Sequence, residues 1–251
     1  MTASEKARLF ASLHRPGDPL VLYNVWDAGS AKAVAEAGAS AIATGSWSVA
    51  AAHGYSDAEA LPLDVALANA ARIVAAVDLP VTIDFEGGYA VRPEPLAENI
   101  ARLAATGAVG CNFEDQAIGG EGLHPVGAQT ARIAAMRAAA GPDFFINART
   151  DIFLKAKPES HDAAMVESAL ERAHQYAKAG ASGIFVPLLD NLKLLELFCS
   201  AAPLPVNFMA HPGSPTAAAV ADAGVARISH AGGPYRLALN ALRQAAAAIY
   251  R

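Results

Sequence analysis

Eight β-rich runs alternating with Ala-rich helical segments over 251 residues predict a (β/α)8 barrel. Glycine stands where four helical runs hand over to the next strand, at Gly38, Gly107, Gly180 and Gly224, supplying the left-handed cap that such a tight reversal uses. No Gly-x-Gly-x-x-Gly follows the first strand, where Asp27-Ala-Gly-Ser30 stands instead, so a doubly wound open sheet is only the runner-up. No stretch rich in Pro, Ser or charge divides the chain, and residues 1–251 read as one domain.

The elements follow in order. A leading amphipathic helix is expected over about 3–13; it is charged and lacks the apolar core of a signal peptide. The first strand, about 20–26, leads into a helix over about 29–37 that stops at Gly38, and the second strand, about 40–45, ends on Thr44-Gly-Ser46. A helix over about 63–77 precedes the third strand, about 80–85, a β-branched run that breaks at Gly87-Gly88. Helix 94–106 ends at Gly107 before strand 109–114, and helix 127–140 precedes strand 144–149. Helix 162–179 ends at Gly180 before strand 183–188, helix 191–201 precedes strand 204–209, and helix 214–223 ends at Gly224 before strand 225–229. A final helix, about 234–249, carries an apolar face of Leu237, Leu239, Leu242, Ala246 and Ile249, suited to its own barrel or to a neighbour's. Two connections exceed what a barrel needs. Residues 47–60 hold His53-Gly-Tyr-Ser-Asp57 and read as a polar, glycine-hinged lid; residues 116–126 hold Gly119-Gly-Glu-Gly122 and His124-Pro125.

Composition narrows the function. The chain is 53% hydrophobic and 17% charged, with a net charge of -5 and no Lys/Arg cluster, which argues against a nucleic-acid partner and for a small molecule. Cys111 and Cys199 lie far apart in apolar segments, so neither a disulfide framework nor a cysteine metal cluster is expected, and a reducing cytoplasm suits the chain. No run approaches the roughly 20 apolar residues of a membrane span.

The strand ends carry the chemistry. The third strand ends with Asp84 and Glu86, the fourth with Asn112-Phe-Glu114-Asp115 and the fifth with Asn147-Ala-Arg149-Thr-Asp151. In an extended segment Asp84 and Glu86 project to one face and repel each other unless a cation or proton lies between them; the competing reading is a turn cap beside a solvated acid. With Glu114 on the neighbouring strand, these hard oxygen donors suit Mg²⁺, or Mn²⁺, better than zinc. Arg149 is placed to clamp an anion bidentately, or else to form a salt bridge with Asp151 or Glu114. Asn207, polar in an apolar run, either faces the pocket or is a buried, hydrogen-bonded residue.

Taken in order, Asp27-Ala-Gly-Ser30, Thr44-Gly-Ser46, Gly54-Tyr-Ser-Asp57, Asp84-x-Glu86-x-Gly88-Tyr89, Asn112-x-Glu114-Asp115 and Ile146-Asn-Ala-Arg149-Thr-Asp151 resemble the isocitrate lyase/phosphoenolpyruvate mutase superfamily from about residue 20 to 236. The resemblance implies a homotetramer with an exchanged C-terminal helix, and a Mg²⁺-bound 2-oxo acid whose C–C or P–C bond is broken next to a pyruvyl unit. It also implies roles: Ser46 and the Trp47 amide on the substrate carboxylate, Asp84 as principal metal ligand, Glu86 and Glu114 on the metal's waters, Arg149 on the far end of the substrate, and Asp57 on the gating loop.

Departures from that pattern restrict the reaction. Where isocitrate and methylisocitrate lyases carry a Lys-[Lys/Arg]-Cys-Gly-His motif, this chain reads Gln116-Ala-Ile-Gly-Gly-Glu-Gly-Leu-His-Pro125, and Cys111 lies inside the fourth strand, away from that loop. The Asn-Ser or Thr set of the phosphonate branches is also missing, and Phe185-Val-Pro-Leu-Leu189 lacks the Glu or His of other branches. Glu86, Asp57 and His124 are left as acid-base candidates. An oxaloacetate decarboxylase-like enzyme therefore leads; phosphonopyruvate hydrolase-, mutase- or 2-methylisocitrate lyase-like activity and a non-catalytic 2-oxo acid binding protein are the alternatives. A Schiff-base aldolase is disfavoured because, of six lysines, only Lys155 lies near a strand end, past Asp151.

Overall fold

A computed structural model of the chain describes residues 1–250. Strands β1 (Leu20–Leu22), β2 (Ile42–Ala43), β3 (Val81–Asp84), β4 (Gly110–Glu114), β5 (Phe145–Arg149), β6 (Gly183–Phe185), β7 (Val206–Met209) and β8 (Arg227–Ser229) pair in parallel in the order β1-β8-β7-β6-β5-β4-β3-β2. Beyond the ends of β1 and β2 the ring is bridged by Val25, whose N–H donates to Ala43 O at 2.8 Å and whose carbonyl accepts from Gly45 N–H at 3.3 Å. The result is the (β/α)8 barrel that the alternation of elements predicts.

Helix α1 (Ala3–Ser12) precedes the barrel, and α2 (Ala28–Glu36) follows β1. The start of α2 is set by Asp27, whose carboxylate accepts from Ser30 N–H at 2.7 Å while Ser30 Oγ accepts from Asp27 N–H, a reciprocal cap worth about 1 kcal/mol. A short α3 (Ser46–Ala52) lies where the long lid was expected, so the irregular part of that connection begins only at His53. Its Ser-Trp-Ser start looks like a polar strand end, and only the following Ala run favours helix. Then come α4 (Leu63–Ala76), α5 (Pro93–Ala105), α6 (Val126–Ala140), a 3-10 turn at Pro158–Ser160, α7 (Ala163–Lys178), α8 (Leu192–Ala201), α9 (Ala217–Asp222) and α10 (Gly233–Ile249). Helix α9 is shorter than expected because Thr216 caps it and the chain before it turns at His211 to Ser214. At the four predicted junctions Gly38, Gly107, Gly180 and Gly224 take φ of 96°, 89°, 103° and 92°.

The strand period of two separates two cores. Outward residues such as Ile83, Cys111, Phe113, Ile146 and Ile184 pack under the helices in one large apolar cluster. Inward residues at the start of the strands, including Leu20, Ala41, Val109 and Phe145, join Ala7 and Phe10 of α1 in a second cluster that closes the barrel floor. Phe10 meets the Phe145 ring edge-on at 5.3 Å. Toward the carboxyl ends the interior turns polar, with Asn112, Asn147 and Arg227 all buried. Apolar floor and polar rim together place the chemistry at the top of the barrel.

Helix α10 buries only Pro234 and Tyr235. Its Leu237 and Leu242 are 63% and 65% exposed, so the apolar face does not pack on its own barrel.

Candidate active site

Asp84 is the last residue of β3 and stands at the centre of the rim. Its backbone N–H donates to Thr44 Oγ1 at 2.9 Å, its Oδ2 accepts from the Ser46 N–H at 2.9 Å, and its Oδ1 accepts from Asn112 Nδ2 at 3.4 Å. Because α3 starts at Ser46, the amide of that residue has no intrahelical acceptor and donates to the carboxylate instead, at a helix start that favours anions. Trp47 anchors this turn: its ring packs under the Arg236 guanidinium at 4.5 Å and edge-on against Tyr235 at 5.9 Å.

The strand expected to carry both acids stops one residue after Ile83. Glu86 lies in a turn with φ of 50°, closed by Gly88 N–H donating to Phe85 O at 2.8 Å. Gly88 itself has φ of 78°, the left-handed region that favours glycine, and a Cβ there would crowd the tip of the Leu96 side chain. Ala58, Glu59 and Tyr89 are also left-handed, each a strain of about 1–3 kcal/mol that the surroundings must hold. Glu59 supplies that hold: its N–H donates to Glu86 Oε2 at 2.7 Å and its Oε1 accepts from Tyr89 N–H at 2.6 Å. The connection carrying Asp57 is thereby latched to the turn carrying Glu86, a link between residues 27 apart that no local pattern announces.

Arg149 closes the other side. Its Nε and Nη2 donate to Asp151 Oδ1 and Oδ2 at 2.6 and 3.1 Å, and its Nη1 lies 2.9 Å from Glu114 Oε2. The salt-bridge reading is therefore realised with both acids, yet one N–H on each terminal nitrogen is left for an incoming anion. Asp151 is itself fixed by its N–H donating to Asp115 Oδ1 at 2.9 Å, and Asp115 Oδ2 accepts from Tyr176 OH at 2.8 Å and Arg172 Nη1 at 3.0 Å.

Electrostatics reflect the crowding. Burial and the nearby Asp84 push Glu86 up to about 8, and burial pushes Glu114 up to about 8 against the pull of Arg149. Asp57, exposed on its loop, is raised by partial desolvation and by Asp84. Desolvation works to lower the Arg149 pKa, but Glu114 and Asp151 outweigh it and the net shift is upward. Asp57, Asp84, Glu86, Glu114 and Arg149 thus sense one another across a single rim.

Among the described residues no three His, Cys, Asp or Glu side chains are arranged as direct metal ligands, so Asp84, Glu86 and Glu114 do not form a closed cage. Each of the three already accepts from this chain, Asp84 from Ser46 and Asn112, Glu86 from Glu59 and Glu114 from Arg149, and each keeps lone pairs for a metal or for its waters. One carboxylate backed by others that hold water fits Mg²⁺, which keeps several of its waters.

Two expected site residues make no hydrogen bond to these rim side chains. His124 lies in a cleft lined by Gln116, Ile118 and Arg132 together with Glu59 and Tyr89 of the latch; its backbone N–H donates to Asp115 O at 2.8 Å, and burial and Arg132 lower its pKa. Asn207 is buried on β7 in register with Arg227; its Oδ1 accepts from Ser229 Oγ at 3.3 Å and its Nδ2 has no partner, so it meets the buried alternative only in part. Cys111 faces the outer core, fully buried, and burial keeps its thiol protonated.

Known proteins place this arrangement. The phosphoenolpyruvate phosphomutase family matches residues 10–250. A crystal structure of a Burkholderia cenocepacia J2315 protein whose name proposes a phosphonomutase is 51% identical, with a TM-score of 0.94 over 96% of this chain and 97% of that one. The uncharacterised protein Rv1998c of Mycobacterium tuberculosis is 35% identical over 96% of this chain and 88% of its own length. The 2-methylisocitrate lyase of Escherichia coli K12 is 29% identical over 78% of this chain and 70% of its own. Phosphonopyruvate hydrolase in complex with oxalate and Mg²⁺ shares the fold, at 22% identity and a TM-score of 0.84 over 100% of this chain and 88% of that one. With the match spanning almost the whole barrel, the chain belongs to the phosphoenolpyruvate phosphomutase family, whose members are enzymes acting on C–C or C–P bonds.

Proposed function

We propose that this chain is a Mg²⁺-dependent enzyme of a small 2-oxo acid that cleaves the bond next to the pyruvyl unit, with oxaloacetate decarboxylation as its leading reaction. The observation that carries the reading is the single rim on which Asp84, Glu86, Glu114 and Arg149 stand together, beside the start of α3, where the Ser46 amide donates to Asp84. The phosphonopyruvate hydrolase complex with oxalate and Mg²⁺ supports it on the same fold.

In this reading the Ser46 hydroxyl and the Trp47 amide receive the substrate carboxylate. Asp84 holds the metal, and Glu86 and Glu114 hold its waters. Bound Mg²⁺ would stabilise the negative charge that develops on the 2-oxo oxygen as the bond breaks, an effect worth several kcal/mol. The two spare N–H groups of Arg149 grip the far carboxylate or phosphonate, and the Asp57 loop, latched by Glu59, excludes bulk water. Decarboxylation suits a site with no cysteine in the loop after β4, because CO₂ departs without a general acid and water can protonate the product.

The test is pyruvate release with Mg²⁺ across oxaloacetate, phosphonopyruvate, 2-methylisocitrate and related alkylmalates. Turnover of oxaloacetate alone is the expected outcome; release from 2-methylisocitrate alone would overturn the order of preference. A second reading is a non-catalytic 2-oxo acid binder, favoured by the loop after β4, which carries no cysteine. That reading predicts stabilisation by Mg²⁺ plus oxalate and no turnover of any substrate.

We also read the chain as a cytoplasmic homo-oligomer, tetrameric by its resemblance, because α10 leaves its leucines in solvent. Among the described residues no helix is long and apolar enough to cross a membrane.

A further inference from the structure

Arg227 is the largest fully buried side chain of the barrel and lies on β8, far from Arg149 in sequence. Its Nη2 donates to Asn112 Oδ1 at 3.0 Å, while its Nε and Nη1 have no partner. Burying a cation with orphaned donors is expensive, because neither its charge nor its N–H groups recover what they lose with water. A leucine here would fill space at no such cost, so stability does not account for the residue.

The chemistry of Asn112 supplies a reason. A side-chain amide can sit either way round, and only its partners decide which end faces where. A guanidinium has donors and no acceptor, so the atom of Asn112 facing Arg227 must be the oxygen. That oxygen also accepts from Asn147 Nδ2 at 2.9 Å. The NH₂ end is then forced toward Asp84 Oδ1, 3.4 Å away. Asn147 is oriented by the same chain, since its own Oδ1 turns to β6 at Gly183, where a Cβ would lie only 2.8 Å from it.

We infer that Arg227 is a positioning residue for the rim: it locks the Asn112 amide so that Asn112 donates to Asp84, and thereby sets the affinity of Asp84 for Mg²⁺. The inference rests on Asp84 being the metal-holding acid. Arg227 touches neither substrate nor metal; it acts through one amide. The cost of burying it is consistent with a guanidinium pushed down to about 10 by desolvation, with Asp84 working the other way.

Calorimetric titration of Mg²⁺ into the metal-free protein separates the alternatives, with a denaturation midpoint measured beside each titration. Arg227→Met should loosen Mg²⁺ about tenfold or more, the usual effect of losing an outer-shell partner. Arg227→Lys, still a donor without an acceptor, should recover most of that loss. Asn112→Ala should loosen Mg²⁺ to a similar degree, and adding Arg227→Met to it should change little further. Should Arg227→Met fail to fold, the Lys and Asn112→Ala variants carry the test. A lowered midpoint with unchanged Mg²⁺ affinity in Arg227→Met and Asn112→Ala would overturn the inference and leave Arg227 a structural residue. Tighter Mg²⁺ binding in Arg227→Met would overturn it too, since charge repulsion would then be the main effect. Wild-type protein that binds no Mg²⁺ would overturn the metal reading itself, and this inference with it.

Discussion

Replacing Arg149 by Met should expose how the rim is held together. The guanidinium is shared between Asp151, whose side chain is fully buried, and Glu114, whose side chain is 7% exposed, through contacts of 2.6, 3.1 and 2.9 Å. Removing one partner of such a buried pair costs about 3–5 kcal/mol, mostly the penalty of the stranded charge. For a domain of this size each kcal/mol shifts the midpoint by about 2–4 °C, so a fall of roughly 6–20 °C is expected in differential scanning calorimetry. Arg149→Lys should recover only part of it, because one ammonium cannot match the fork between two acids. The double variant Arg149→Met/Asp151→Asn should be more stable than Arg149→Met alone, since it removes the stranded carboxylate as well. Pyruvate release should stay low in both, because the anion grip is lost in each. A midpoint within about 2 °C of wild type for Arg149→Met, or no rescue by Asp151→Asn, would refute the view that the fork neutralises buried charge.

The other predictions concern the floor, the outer core and the last helix. His14 is buried against Phe145 at 4.2 Å, and burial, with Arg227, holds its imidazole down to about 3 from 6.5. The unfolded chain therefore takes up that proton first, so stability is complete above pH 6.5 and should fall by up to about 1.4 kcal/mol per unit as pH drops toward 3. His14→Phe should flatten this acid limb in urea titrations; an unchanged slope would contradict the assignment. Cys111→Ala should lower stability by about 1 kcal/mol yet retain Mg²⁺-dependent turnover, whereas lost turnover in a folded protein would return the cysteine to the mechanism. Leu237→Lys with Leu242→Lys should yield a smaller species by light scattering without lowering the thermal midpoint of the barrel, and an unchanged mass would count against α10 as an interface.

The barrel was readable because its signals are local: alternation of elements, glycine at helix ends, and acids where β-branched runs stop. The charged rim residues were readable for the same reason, since Asp84, Glu114 and Arg149 each terminate a strand. What sequence could not reveal depends on contacts between distant residues. Glu59 latches onto the Glu86 turn across 27 positions, and Arg227 reaches Asn112 across 115. Helix α3 was hidden because a seven-residue Ser/Ala segment between two polar stretches has too few turns for a periodic pattern. His124 carries the chemistry of an acid-base residue, but its place depends on a contact between loops: its backbone N–H is pinned to Asp115 O, in a cleft shared with Glu59 and Arg132.

The central claim is that Asp84 holds a Mg²⁺ ion on which a 2-oxo acid is bound. Calorimetric titration of oxalate, whose adjacent oxygens imitate those of such an acid, in the presence and absence of Mg²⁺ tests it directly. Wild-type protein should bind oxalate only with Mg²⁺ present, and Asp84→Ala should lose that binding by at least about 100-fold, the upper range for losing a metal-site contact. Equal, Mg²⁺-dependent oxalate binding by wild type and Asp84→Ala would contradict it.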